Sequence, residues 1–259
     1  MTDEGRTELV GGELPEIVRK IRARTPARLL VGRAGAAYRT GTQLELREAH
    51  AAARDAVCDE LKCEETFGGA FVKEWNLFEV LTKAATKDEY LLRPELGRQF
   101  NDRARAQLLS RCSIGNDLQI AIGDGLSVAA VAAQVPTLLP LLSEGARQRQ
   151  WKMGQVFVIH HCRVGILNEI GELLHPRVAV LLIGERPGLA TAESLSAYLA
   201  YQPRKAHTDA ERNVISNIHA RGLTAERAAA RILNLADQMM RVRSSGCRLK
   251  EGSAALRNE

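Results

Sequence analysis

The sequence predicts an α/β fold: a Rossmann-like, doubly wound, mainly parallel sheet with an N-terminal helical region. Three observations predict it. Leu118–Ile122, Val156–Ile159 and Val178–Ile183 are continuous apolar runs of strand length. Amphipathic helical stretches separate them, the pattern of parallel strands covered on both faces. The order strand–helix–strand–helix–strand then specifies a layered α/β unit. The pattern changes near residue 116, so residues 1–115 read as a mainly helical region and residues 116–259 as an α/β ligand-binding domain.

Each element has a local reason. A polar start leads to a short helix near Pro15–Arg24, then a glycine turn at Gly32-Arg33-Ala34-Gly35. Over Thr42–Leu61, residues Leu46, Ala49, Ala53, Val57 and Leu61 recur at steps of three or four and make one apolar helix face. Gly68–Gly69 breaks that pattern. Arg93-Pro94 starts a helix predicted to run to Leu109, because proline suits a first helical turn. A helix from Ser127 to about Gln150 is expected to be interrupted near Pro136 and Pro140. The next helix carries Ile166, Leu167, Ile170, Leu173 and Leu174 on one face. A fourth strand is expected at Leu195–Tyr201. A final helix spans Thr224 to about Arg243, with Thr224 as N-cap and Gly246 near its end.

Composition narrows the function. The chain has 259 residues, 45% hydrophobic and 26% charged, so it can build a core without disulfide or metal staples. Aromatics are only 4%, which leaves the core to Leu, Val, Ile and Ala. The net charge is +5, with Arg19, Lys20, Arg22, Arg24, Arg28, Arg33 and Arg39 clustered early. No aromatics interleave with these cations for base stacking and no nucleic-acid module accompanies them, so the stretch reads as a solvated or protein-docking face. Cys58, Cys63, Cys112, Cys162 and Cys247 are odd in number and lack C-x-x-C spacing. They fit a reducing cytosol better than a disulfide framework or a zinc site. Met1–Gly11 has no signal-peptide pattern, and no apolar stretch of about 20 residues suggests a membrane span.

In parallel sheets ligands bind beyond the carboxyl ends of the strands. Three loops therefore form the candidate edge: Gly123–Ser127, His160–Val164 and Gly184–Gly188. Their glycines serve either tight turns or close approach of a ligand. Ile122-Gly123-Asp124-Gly125-Leu126-Ser127 lacks the third glycine of a dinucleotide fingerprint and places an acid where a pyrophosphate would sit. Gly125-Leu126-Ser127 is not a nucleophile elbow, since Ala129 replaces its second glycine. His160-His161-Cys162 reads as core or loop rather than metal site, because neighbouring strand residues face opposite ways. Asp124 and Glu185 end two strands and require partners if buried; Arg186 or a ligand's amides and hydroxyls would serve. Asn217 and His219 are further polar candidates for the same crevice.

Five segments in one order carry a resemblance: Gly32-Arg33-Ala34-Gly35, Gly123-Asp124-Gly125-Leu126-Ser127, Gly184-Glu185-Arg186-Pro187-Gly188-Leu189, Glu193-Ser194-Leu195-Ser196 and Ile215-Ser216-Asn217-Ile218-His219. Together, over residues from about 15 to 246, the chain resembles the small subunit of ethanolamine ammonia-lyase. The resemblance implies that 116–259 is a cofactor-binding domain and that adenosylcobalamin lies between this chain and a large barrel subunit in a hetero-oligomer. It implies a radical conversion of ethanolamine to acetaldehyde and ammonia, with the substrate-binding residues on the large subunit and no catalytic residue or metal ligand here. The family's cofactor contacts fall on Val164, in Arg163-Val164-Gly165, on Glu185, and on Val214, where the family usually has cysteine. A backbone contact at Val214 would survive that change. No D-x-H-x-x-G motif is present, so replacement of the cofactor's own base by a protein histidine is not suggested. A cytoplasmic location follows. In relatives, enclosure in a bacterial microcompartment is linked with a longer N-terminal tail.

The residues alone also permit a non-catalytic α/β module binding a nucleotide or small anion, supported by the basic early stretch. A metal-dependent hydrolase rests only on scattered His and Asp. Binding of corrinoid rather than nucleotide separates the first two readings.

Overall fold

A computed structural model describes residues 15–25, 29, 31, 33–188 and 190–249; Met1–Gly11, Arg28, Gly32 and Leu189 lie outside the described residues. The chain begins with α1 (Glu16–Ala23), the hairpin β1 (Arg33–Ala34) and β2 (Ala37–Tyr38), and α2 (Thr40–Cys58). Gly35 turns the hairpin at φ +61°, in the left-handed region that favours glycine. Short helices α3 (Cys63–Phe67) and α4 (Gly69–Glu74) lead to strand β3 (Glu79–Leu81), then α5 (Lys87–Leu92) and α6 (Asp102–Arg111). The expected apolar stripe on α2 exists, but Ala56 is the helix's buried residue. The expected helix start at Pro94 is corrected. Phe100 bridges to Thr82, and Asn101 caps α6 by accepting from the Ala104 N–H at 2.8 Å. A side-chain cap and one sheet contact outweigh the proline signal.

The remaining elements are β4 (Leu118–Gly123), α7 (Val128–Gln148), β5 (Phe157–His160), α8 (Leu167–Leu174), β6 (Val178–Gly184), β7 (Leu195–Tyr201), β8 (Asn213–Ile218) and α9 (Ala225–Val242). The three apolar runs and the fourth expected strand are β4, β5, β6 and β7. Among the described residues six strands form one sheet, in the order β3-β5-β4-β6-β7-β8. Its first three pairings are parallel and its last two antiparallel, so the α/β sheet is mixed and mainly parallel. The mainly helical stretch before residue 116 thus donates a sheet strand, β3. Strand β8 was not anticipated, because its Asn, Ser and exposed Val hide a half-buried edge pattern.

Alternation along the central strands makes two cores. Ile120, Ile122, Val180 and Leu182 face one way, into a core with α7 and α9. Ala121, Ala179, Leu181 and Ile183 face the other way, towards α6 and α8. Helix α7 runs unbroken through Pro136 and Pro140, against the expected interruption. Val135, Leu138, Leu139 and Leu142 are fully buried around these prolines. Burial of that face outweighs the two missing N–H donors. Helix α7 is also long and apolar enough to cross a membrane, at mean hydropathy 1.3, but it packs against the sheet and α9. Thr224 caps α9 as expected, while its C-terminus closes on Arg243 in the left-handed conformation.

One consequence positions the site. On the face shared with α6 and α8, helices cover β4, β5 and β6. Beyond β6 the same face opens by degrees: on β7 Ser196 and Ala200 are still buried and Tyr198 is half-buried, and on β8 Val214 and Ser216 are exposed while Ile215 is buried on the far side.

Candidate functional site

The open face and the three strand-end loops meet in a cleft of about 370 Å³. Gly125 and Leu126 enter from the loop after β4, Cys162–Val164 from the loop after β5, and Gly184, Glu185 and Arg186 from the end of β6. Tyr198 and Val214 are cross-strand partners on β7 and β8 and line the cleft with Ser196 and Ser216. Val164, Glu185 and Val214, 50 residues apart from first to last, therefore share one wall system.

Glu185 is held from three sides. Its Oε2 accepts from Ser194 Oγ at 2.8 Å; its Oε1 accepts from Ser196 Oγ at 2.7 Å and from the Asn217 N–H at 2.9 Å. Arg186, one of the two kinds of partner expected for it, is exposed, and no ion pair joins the two among the described residues. A carboxylate has about four acceptor positions, so the side chain keeps acceptor capacity at Oε2. Serines at i and i+2 reach the same carboxylate because alternate strand residues share a face. That spacing in Glu193-Ser194-Leu195-Ser196 was the available signal for their role.

Asp124 does not face the cleft. It is 1% exposed, accepts from the His161 N–H at 2.7 Å and the Cys162 N–H at 2.8 Å, and lies 3.8 Å from Lys87 Nζ. Lys87, missed in the sequence, comes from the first turn of α5, a helix brought over the strand ends by β3. Tyr90 of the same helix donates to the Cys162 carbonyl at 3.0 Å. Burial raises the Cys162 thiol well above its ordinary range, and the Asp124 charge adds to this, so it sits in the core beneath the cleft as a neutral thiol. Burial likewise raises the Tyr198 phenol, with Glu185 and Asp209 adding to the shift; it stays a protonated hydroxyl.

The remaining candidates have local roles. His160 approaches Glu79 at 3.4 Å and His161 Nδ1 meets the Ala84 carbonyl at 2.8 Å, so the two rings serve different partners. Asn217 and His219 are corrected: their side chains bond each other at 2.8 Å, and only the Asn217 backbone N–H reaches the site, through Glu185. The Gly125 question also resolves. With φ +58°, a Cβ there would lie 2.4 Å from the Gly184 carbonyl, so the glycine lets two site loops pack backbone to backbone. A larger trough of about 720 Å³ opens beyond Gly165. Two ion pairs lie within it, Arg105 with Glu169 and Arg212 with Asp209, and it contains none of the three expected contacts.

The sequence profile of the ethanolamine ammonia-lyase light chain (EutC) matches residues 15–250, nearly the whole described fold. The chain belongs to the ethanolamine ammonia-lyase light-chain family. Relatives named ethanolamine ammonia-lyase small subunit include those of Clostridium perfringens, 42% identical over 89% of this chain and 76% of the relative. That of Clostridioides difficile is 43% identical over 89% of this chain and 76% of its own length. That of Listeria monocytogenes is 42% identical over 89% of this chain and 77% of its own length. Membership of the ethanolamine ammonia-lyase light-chain family overrides the nucleotide- or anion-binding alternative.

Proposed function

We propose that this chain is the small subunit of an adenosylcobalamin-dependent ethanolamine ammonia-lyase and presents one wall of the cofactor site to a large barrel subunit in a cytoplasmic hetero-oligomer. The observation that carries this reading is the shape and chemistry of the cleft. At about 370 Å³ it admits only an edge of a corrinoid, so a second chain must enclose the rest. Its lining suits that edge. Val164, Ile183 and Val214 offer apolar contact, while Glu185, Tyr198 and Ser216 offer acceptors and hydroxyls to peripheral amides. The cleft lies beyond the carboxyl ends of β4, β5 and β6, where the strand order reverses between β4 and β6, and this is where a doubly wound, Rossmann-like platform takes a ligand.

Adenosylcobalamin, when bound, supplies the radical chemistry that turns ethanolamine into acetaldehyde and ammonia. This chain's own residues bind and orient. Glu185 accepts hydrogen bonds through its free Oε2 position, and its three protein donors hold the carboxylate still while it does so. The 162–164 loop delivers Val164 against the same edge. Val214 fits the family's cysteine position through its backbone and apolar surface. Co-expression with the large subunit tests the reading: the complex is expected to release ammonia from ethanolamine only with adenosylcobalamin, and the purified single chain to be silent. Robust deamination by the single chain, or no cofactor dependence in the complex, rules the proposal out.

A further inference from the structure

We infer that Asp124, neutralised by Lys87, is a positioning residue that sets Val164 in the cleft and thereby controls corrinoid affinity without touching the ligand. The inference rests on the cofactor reading above. Residues 161–163 form the only link between β5 and Val164, and they are tied down at every backbone polar group. Asp124 takes the N–H groups of His161 and Cys162, one on each carboxylate oxygen. Thr82 Oγ1 donates to the His161 carbonyl at 3.0 Å and Tyr90 to the Cys162 carbonyl at 3.0 Å. The Arg163 N–H donates to the Gly97 carbonyl at 2.8 Å, and the Arg163 carbonyl accepts from Ile166 at 2.9 Å.

This grip holds an unfavourable conformation. His161 sits at φ +56°, a left-handed geometry that a side-chain-bearing residue adopts only when its surroundings compel it. Asp124 bonds the N–H of that residue and the next, so it is the group placed to compel it. The carboxylate is 1% exposed, and such a charge needs a counter-charge. Lys87 supplies it at 3.8 Å, is itself 7% exposed, and also reaches the Gly125 carbonyl at 3.5 Å. Lys87 therefore fastens the Gly123–Ser127 loop that carries Asp124 to α5. Neither Asp124 nor Lys87 is among the residues lining the cleft, whereas Gly125, Tyr90 and Cys162–Val164 all are. The pair lies behind the wall and orders what the wall presents.

The geometry separates positioning from charge balance. Asp124→Asn retains one acceptor but turns an NH₂ group towards a backbone N–H, so one of the two loop bonds is lost. It also leaves Lys87 buried without its counter-ion. Lys87→Met with Asp124→Asn removes that stranded charge but does not restore the lost loop bond. The test uses the full complex with the large subunit and equilibrium dialysis of cyanocobalamin, alongside melting curves. Asp124→Asn is expected to lower both the melting temperature and the affinity, the affinity by roughly tenfold for one charge-assisted bond. The double variant is expected to regain much of the melting temperature while affinity stays low. Wild-type affinity in Asp124→Asn, or affinity recovering in step with stability in the double variant, overturns the positioning role. Glu185→Gln run in parallel distinguishes the two ideas. If it weakens binding and Asp124→Asn does not, only the positioning role fails. If the wild-type complex binds no cyanocobalamin, the cofactor reading fails and takes this inference with it.

Discussion

Replacing Glu185 by Gln isolates what the cleft offers a ligand, because the local structure can accept the change. Two donors converge on Oε1, and one of them, the Asn217 backbone N–H, cannot reverse. The glutamine carbonyl must therefore take that position. Its NH₂ then falls at Oε2, opposite Ser194 Oγ, a hydroxyl that can rotate from donor to acceptor. All three internal bonds survive in neutral form, each about 1 kcal/mol weaker than with a carboxylate, so stability should fall by about 1–3 kcal/mol. The outward acceptor at Oε2 is replaced by a donor. A hydrogen bond to a charged acceptor contributes about 1.5–3 kcal/mol, so cofactor affinity should fall roughly 10- to 100-fold. Absorbance titration of the assembled enzyme with adenosylcobalamin measures this, and ethanolamine binding serves as the control that should change little. A mutant complex that melts earlier yet binds cofactor as tightly as wild type would show that Glu185 only fastens β6 to β7 and β8.

Other variants test the frame around the site. Gly125→Ala should cost more than about 2 kcal/mol, combining left-handed strain with overpacking against the Gly184 carbonyl; an unchanged urea midpoint would contradict the loop-packing argument. Asp117 binds the Lys152 N–H at 2.9 Å and Arg177 at 2.8 Å. Burial alone would raise its carboxyl, but these two donors outweigh it and hold the group below its ordinary value of 3.8. Its stabilisation is therefore present above that value and lost as pH falls through the lower folded-state value. Asp117→Asn should lower the melting temperature at pH 7, with the gap from wild type closing in acid below about pH 4; a gap independent of pH would refute the assignment.

The contrast between Glu185 and Asp124 shows where sequence reading stopped. Both end apolar strands and both were candidates for ligand contact. The strand ends were legible because buried parallel strands must be continuously apolar, and an acid after such a run is conspicuous. Which acid faces the cleft depended on what lies across from it. Lys87 and the turned 161–163 loop claim Asp124 from inside, and their approach depends on β3 joining the sheet far from its own neighbours in sequence. Likewise, Ser194 and Ser196 reach Glu185 only because β7 pairs antiparallel with β6.

By itself the sequence determined the alternation of strands and helices, the loops that end the parallel strands and the family, since these depend on local periodicity and on motifs in fixed order. Only the tertiary structure brought Val164, Glu185 and Val214 to one cleft, carried α7 unbroken through its prolines and left the outer face of β8 exposed. Those features depend on burial and on contacts between distant segments, where packing over a whole helix face outweighs a local proline signal and the sheet's pairing decides which side chains meet.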